Sequence, residues 1–219
     1  MIQRLRDRDH AGQLLARMLR KFDRAAGTIV MALPRGGVVV GYTIAQALHL
    51  PLDVCVVRKL GVPWQPELAM GAIALGGITF LNHELIAGLG ISQPEISKVA
   101  AWERKELLRR EKEYRGKRPL PALTGITVIV ADDGIATGAT MEAAVKVLRQ
   151  GGASHIVIAT GVASASTSMR LAQIAGEVYC AIQPEALSSI SEWFEDFDQV
   201  TDGEVRSLLA RSESAQYLK

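Results

Sequence analysis

Five short runs rich in β-branched residues, with helix-like stretches between them, limit the fold more than any other feature of this chain. They are TIVMAL (28–33), LDVCVV (52–57), ITVIVA (126–131), HIVIAT (155–160) and EVYCAI (177–182). Runs that are apolar at nearly every position are covered on both faces, as parallel strands are. Their alternation with helices builds βα units rather than an all-β or all-α domain. The helices read at about 9–24, 37–48, 140–150 and 165–174. In the first, Leu14, Leu15, Met18, Leu19 and Phe22 recur at three- and four-residue spacing and leave Arg17, Arg20 and Lys21 opposite, an ordinary core-facing stripe. The expectation is an α/β fold: an open, mostly parallel five-stranded sheet with helices on both faces.

The stretch from 58 to 125 is far longer than one crossover needs. It opens with Gly- and Pro-rich sequence that reads as loops and a hairpin, then turns into a charged helix. Ser92-Gln93-Pro94-Glu95 has capping-box spacing with Pro94 in the first turn, the helix runs to about Tyr114, and Gly116 ends it. Its WERKELLRREKEYRGKR run carries both signs, with Glu103 and Glu106 followed by Arg or Lys at helical spacing. A solvated helix face explains that run better than nucleic acid, because no aromatics interleave the basic residues. Near the C-terminus Trp193, Phe194 and Phe197 cluster, and a capped helix starts at about Asp202. The whole reads as a single domain, 1–219, with an insertion at about 60–118 and an appendage at about 186–219.

Composition excludes several classes. With 48% hydrophobic and 22% charged residues the 219-residue chain is not disordered, and a net charge of +2 gives no general field for nucleic acid. Any anion site is local. The first residues are too charged for a signal peptide and no apolar stretch is long enough to span a membrane, so a cytoplasmic protein without a membrane partner is expected. Cys55 and Cys180 lie in strand-like runs and read as buried reduced thiols. His10, His49, His83 and His155 make no zinc-binding spacing.

The chemistry concentrates at VIVADDGIATGAT (128–140). Asp132 and Asp133 are adjacent carboxylates at the end of an apolar strand, and their repulsion calls for a cation or a hydroxyl-rich ligand beside them. A buried parallel strand delivers the residues after it to the carboxyl edge of the sheet, where open α/β folds bind ligands. Gly134 and then Thr137-Gly138-Ala139-Thr140 lead into a helix, so backbone N–H groups at the turn and the helix N-terminus point into one concavity. A ligand with a phosphate at one end and vicinal hydroxyls at the other suits both features. A plain turn followed by a helix cap is the structural alternative. A magnesium-binding receiver domain also pairs acids after a strand, but residues 133–219 are too few for the rest of one.

Two earlier strand ends offer anion anchors. LPRGGVVVGY (33–42) places Pro34-Arg35-Gly36-Gly37 between the first strand and a helix, where the glycines permit close approach or an unusual peptide geometry. A plain strand-to-helix turn would look similar. VVRKLGVP (56–63) ends the second strand with Arg58 and Lys59, a forked cation beside a compact one.

Taken together these motifs resemble type I phosphoribosyltransferases, and the ATG core of the 128–140 run is most similar to that of the adenine enzymes. The segments ALPRGG, VRKLGVP, ELAMGAI, DDGIATGATM and WFEDFDQVTDGEV resemble a bacterial and archaeal group within that family. The resemblance implies the type I core with a hood. It also implies that Asp132 and Asp133 hold the ribose hydroxyls of 5-phosphoribosyl-1-diphosphate (PRPP), and that Gly134 and Ala136, Thr137, Gly138, Ala139 and Thr140 wrap its 5′-phosphate. Arg35, Gly36 and Gly37 with Arg58 and Lys59 would meet the pyrophosphate, and a mobile loop would come next in the chain.

The implied reaction is a magnesium-dependent transfer, of the nucleotide-salvage kind, in which a nitrogen nucleophile such as a nucleobase displaces pyrophosphate. Mg²⁺ would arrive with PRPP rather than on a dedicated ligand set. Where hypoxanthine-guanine enzymes carry an acid, this chain has Ala136, so Glu67 of PELAMGAI is the candidate acid/base alongside Asp132 and Asp133. Its plain alternative is a glutamate opening a helix after Pro66. Trp64 would stack on a base or cover the loop. The alternative function is a PRPP-binding regulator without catalysis, against which Arg58-Lys59 and a long potential lid argue. A homodimer is compatible with such a chain, and the sequence names no acceptor.

Overall fold

The computed structural model describes residues 4–116, 118 and 121–216. The main sheet holds Thr28–Ala32 (β1), Leu52–Val54 (β2), Thr127–Ile135 (β6), His155–Ala163 (β7) and Gly176–Ile182 (β8), in the order β2-β1-β6-β7-β8 with every pairing parallel. A smaller antiparallel sheet holds Val57–Val62 (β3), Gln65–Ala74 (β4) and Thr79–Leu81 (β5). The helices are Arg8–Met18 (α1), Gly36–Ala47 (α2), His83–Gly88 (α3), Gln93–Arg115 (α4), Ala139–Gln150 (α5), Ala165–Ala175 (α6) and Asp202–Gln216 (α7).

Strand periodicity divides the core into two layers. Val30 and Ala32 of β1 face one cluster with Leu15 of α1 and Val40 and Ile44 of α2. Ile29 and Met31 face another, with Met141, Val145 and Leu148 of α5 and Leu171 of α6. The sheet is thus covered on both sides, as its unbroken apolar runs predict. Because the chain leaves β1 toward α2 on one face and leaves β6 toward α5 on the other, the carboxyl ends of β1 and β6 open a crevice between them. That switch point is where ligands enter such sheets.

Three expectations need correction. The 52–57 run is divided: β2 stops at Val54, and Arg58 and Lys59 belong to β3 of the smaller sheet rather than to the end of the second core strand. In the segment read as loops and a hairpin, the hairpin forms between β3 and β4, and part of what reads as loop is a third strand, β5, which pairs with β4 to make a three-stranded antiparallel sheet. The third core strand does not end before Asp132; it continues through Asp132 and Gly134, which pair with Thr160 and Val162 of β7.

The first helix also closes earlier than its apolar stripe suggests, a short 3-10 turn over Arg20–Phe22 taking its last residues. The capping box at Ser92 and Glu95 forms, and Gly116 caps α4 with a positive φ of 60°. Both cysteines are buried and free. The start of the described chain meets the 193–195 segment in a clasp. Leu5 bridges Phe194 in parallel, its N–H donating to the Trp193 carbonyl at 2.8 Å and its carbonyl accepting from the Glu195 N–H at 2.8 Å.

Candidate functional site

The cation that the adjacent carboxylates call for comes from the far end of the sequence. Arg8, the first residue of α1, donates from Nε to Asp133 Oδ2 at 2.7 Å, with side chains only 11% and 14% exposed. Its Nη1 donates to the Asp198 carbonyl at 2.8 Å, and the guanidinium lies 3.9 Å from the centroid of the Phe197 ring. The clasp thus sets a forked, ring-stacked cation over the end of β6. Asp132 accepts from the Asp133 backbone N–H at 2.9 Å. Burial first, and then the charge of Asp133, push the Asp132 carboxyl well above the usual carboxylate range, while Arg8 pulls it partly back.

Gly36 and Gly37 stand against this pair. A Cβ on Gly36 would fall 1.8 Å from Asp133 Oδ2, and one on Gly37 would fall 2.7 Å from the Ala131 carbonyl oxygen and 3.0 Å from Asp132 Oδ1. Only glycine fits either position. The Pro34–Arg35 peptide bond is cis, the unusual geometry that the two glycines suggest. Arg35 Nη1 lies 3.9 Å from Asp202 Oδ1 at the start of α7.

Downstream of β6, Gly138 takes a left-handed backbone, φ 82°, and serves as the N-cap of α5, so the 137–140 turn presents the open end of a twelve-residue helix. Ala136, Thr137, Ala139 and Thr140 are exposed there. Two side chains of α6 brace the turn: Thr167 Oγ1 donates to the Ala136 carbonyl at 3.3 Å, and Arg170 donates to the Thr137 carbonyl and pairs with Glu142.

A cavity of about 570 Å³ opens beside these loops. Pro34 of the glycine loop, Thr140 of the 137–140 turn, and Arg58 and Lys59 of β3 all line it, so the correction to the second strand leaves its two cations in one cavity with both loops. Helix α4 supplies Val99, Glu103 and Arg110, a face that the charge pattern alone reads as solvated. Glu103 Oε2 accepts from Arg58 Nε at 2.6 Å.

Glu67 lies in β4 beside Pro66 of the cavity wall, which overturns the alternative of a helix-opening glutamate; its side chain is outside the described residues. Trp64 sits at the turn between β3 and β4, 57% exposed. The sequence marks neither Arg8 nor Glu103 as a site residue. Arg8 has no local signal at all, standing 125 positions from its carboxylate, and Glu103 is hidden among look-alike charges on its own helix.

A parallel sheet whose switch point joins an acidic strand end, a glycine loop and a helix-opening turn defines an α/β protein with its candidate site at the carboxyl edge of the sheet. The chain belongs to the phosphoribosyl transferase domain family, whose model matches residues 3–186. Among curated proteins it is similar to "Putative phosphoribosyl transferase Rv0571c" of Mycobacterium tuberculosis (strain ATCC 25618 / H37Rv), 40% identical over 206 residues, which are 94% of this chain and 46% of that protein. The chain spans about half the length of the curated relatives it matches. Among solved structures it is similar to TT1426 from Thermus thermophilus, 40% identical with a TM-score of 0.88, over 95% of this chain and 98% of that one.

Proposed function

We propose that the protein is a phosphoribosyltransferase in which a nitrogen nucleophile, a nucleobase in the simplest case, displaces pyrophosphate from the anomeric carbon of PRPP. The observation that carries this reading is the packing of Gly36 and Gly37 onto Asp132 and Asp133, beside a cavity shared by Arg58, Lys59 and Thr140. As the bond breaks, positive charge develops on the ribose ring and negative charge on the leaving group. Fixed groups aimed at both ends lower the barrier.

Asp132 and Asp133 take the ribose hydroxyls and favour the cationic ring, with Arg8 fixing the Asp133 carboxylate in place. The 134–140 turn takes the 5′-phosphate on backbone N–H groups, and Arg35, Gly36, Gly37, Arg58 and Lys59 take the pyrophosphate. Glu67, next to Pro66 of the cavity wall, handles the proton of the acceptor.

Among the described residues no group of three or more His, Cys, Asp or Glu is placed to cage a metal ion. Mg²⁺ would be held mostly by diphosphate oxygens and water, where it would supply charge neutralisation of the leaving group. Among the described residues no helix is long and apolar enough to cross a membrane. A cytoplasmic setting, and one working unit spanning 1–219 with the 60–118 insertion, belong to the same proposal.

The test is pyrophosphate release from PRPP and Mg²⁺ over a panel of nucleobases. Release with at least one base is expected. PRPP binding with no release across the panel favours a sensor instead, and no PRPP binding removes the proposal.

A further inference from the structure

Resting on that reading of the leaving-group subsite, we propose that Glu103 is a resident competitor for Arg58, a built-in carboxylate that an incoming pyrophosphate must displace and that sets how tightly pyrophosphate is held. Three observations carry it. Arg58 lines the 570 Å³ cavity, the space a phosphate would enter. That guanidinium is engaged by Glu103 at 2.6 Å, and the carboxylate lines the same cavity. Glu103 is the one carboxylate among the described lining residues, set among Arg58, Lys59 and Arg110.

Carboxylate and phosphate oxygens recognise the same face of an arginine, so one excludes the other from a shared N–H donor. Glu106, one turn further along α4, pairs with Arg109 and Arg110 on its own helix, with Nε–O distances of 2.8 and 2.9 Å. Glu103 instead reaches off the helix to β3. Its displacement would therefore loosen α4 from β3 and couple occupancy of the leaving-group subsite to the inserted helix. An arginine held this way lets pyrophosphate leave after transfer, because the carboxylate returns as the product departs.

The experiment is calorimetric titration of the purified full chain with pyrophosphate in the presence of Mg²⁺, comparing wild type with Glu103→Gln and Glu103→Met. Both variants are expected to bind about fivefold more tightly, the scale of a partly exposed ion pair, and the gain should shrink as salt is raised. A merely structural role for Glu103 predicts loss rather than gain. If wild type binds and neither variant binds more tightly, the competitor role is overturned while the site reading stands. If wild type binds no pyrophosphate, the leaving-group assignment fails, and this inference with it. Glu103→Met keeps helix-forming character beside Val99, so it answers the question if the glutamine variant folds poorly.

Discussion

Asp133 is a residue on which three elements converge: α1 reaches it through Arg8, the glycine loop abuts it, and its own strand continues past it. Asp133→Asn keeps the shape and removes the charge. PRPP affinity, read by titration, should fall by about ten- to a hundredfold, the range of a hydrogen bond to a charged group. Unchanged affinity would take Asp133 out of the site.

Gly36→Ala tests the same point from the other side. Its new Cβ would collide with a carboxylate oxygen 1.8 Å away that Arg8 prevents from swinging aside. Turnover should drop roughly a hundredfold, as expected when reacting groups are displaced by about an ångström. At this scale the sequence announced the acids and glycines, because their chemistry needs neighbours in the chain. It was silent on Arg8, because a lone arginine on an amphipathic helix looks the same whether it meets water or a buried carboxylate.

The elements of the core were legible wherever burial on two faces forces an unbroken apolar run, as in β1, β6 and β7. Legibility failed in the 57–81 segment, where a partly exposed antiparallel sheet carries glycines at close backbone crossings. A Cβ on Gly61 would lie 2.5 Å from the Pro66 carbonyl oxygen, and one on Gly71 would lie 2.4 Å from that of Phe80. Glycine content there signals strand contact and imitates loop.

The insertion is anchored to the core at the last turn of α4, where Arg115, its side chain 1% exposed, pairs with Asp53 of β2. Arg115→Met should destabilise the fold by about 3 kcal/mol or more in denaturant titration, since it strands a buried carboxylate. Adding Asp53→Leu should recover much of the loss.

At the edge strand β8, Glu177 accepts hydrogen bonds from Lys21, Tyr179 and His155, which together bring its carboxyl down to about 2. A carboxyl depressed on folding contributes stability that is complete above its unfolded value, near 4.5, and lost as pH falls toward 2. Glu177→Gln should flatten the dependence of Tm on pH within that window, and an unaltered slope would refute the linkage.

Across the whole molecule, the two layers of core and the switch point between β1 and β6 follow from connection order alone, whereas the clasp between Leu5 and Phe194 does not. Leu5 is fully buried between its bridge to Phe194 and the core cluster. Leu5→Ala should cost about 2–5 kcal/mol by thermal or denaturant unfolding, the range for emptying a buried leucine site. No periodicity marks it, since an isolated bridge needs a single apolar residue.

That clasp has a consequence for how the protein ages in a protease. Arg8 holds one carboxylate and stacks on Phe197, so a sugar phosphate seated there would steady the start of α1 and the 193–198 segment simultaneously. Cleavage within those two segments should slow together when the compound is added and resume together once it is dialysed away.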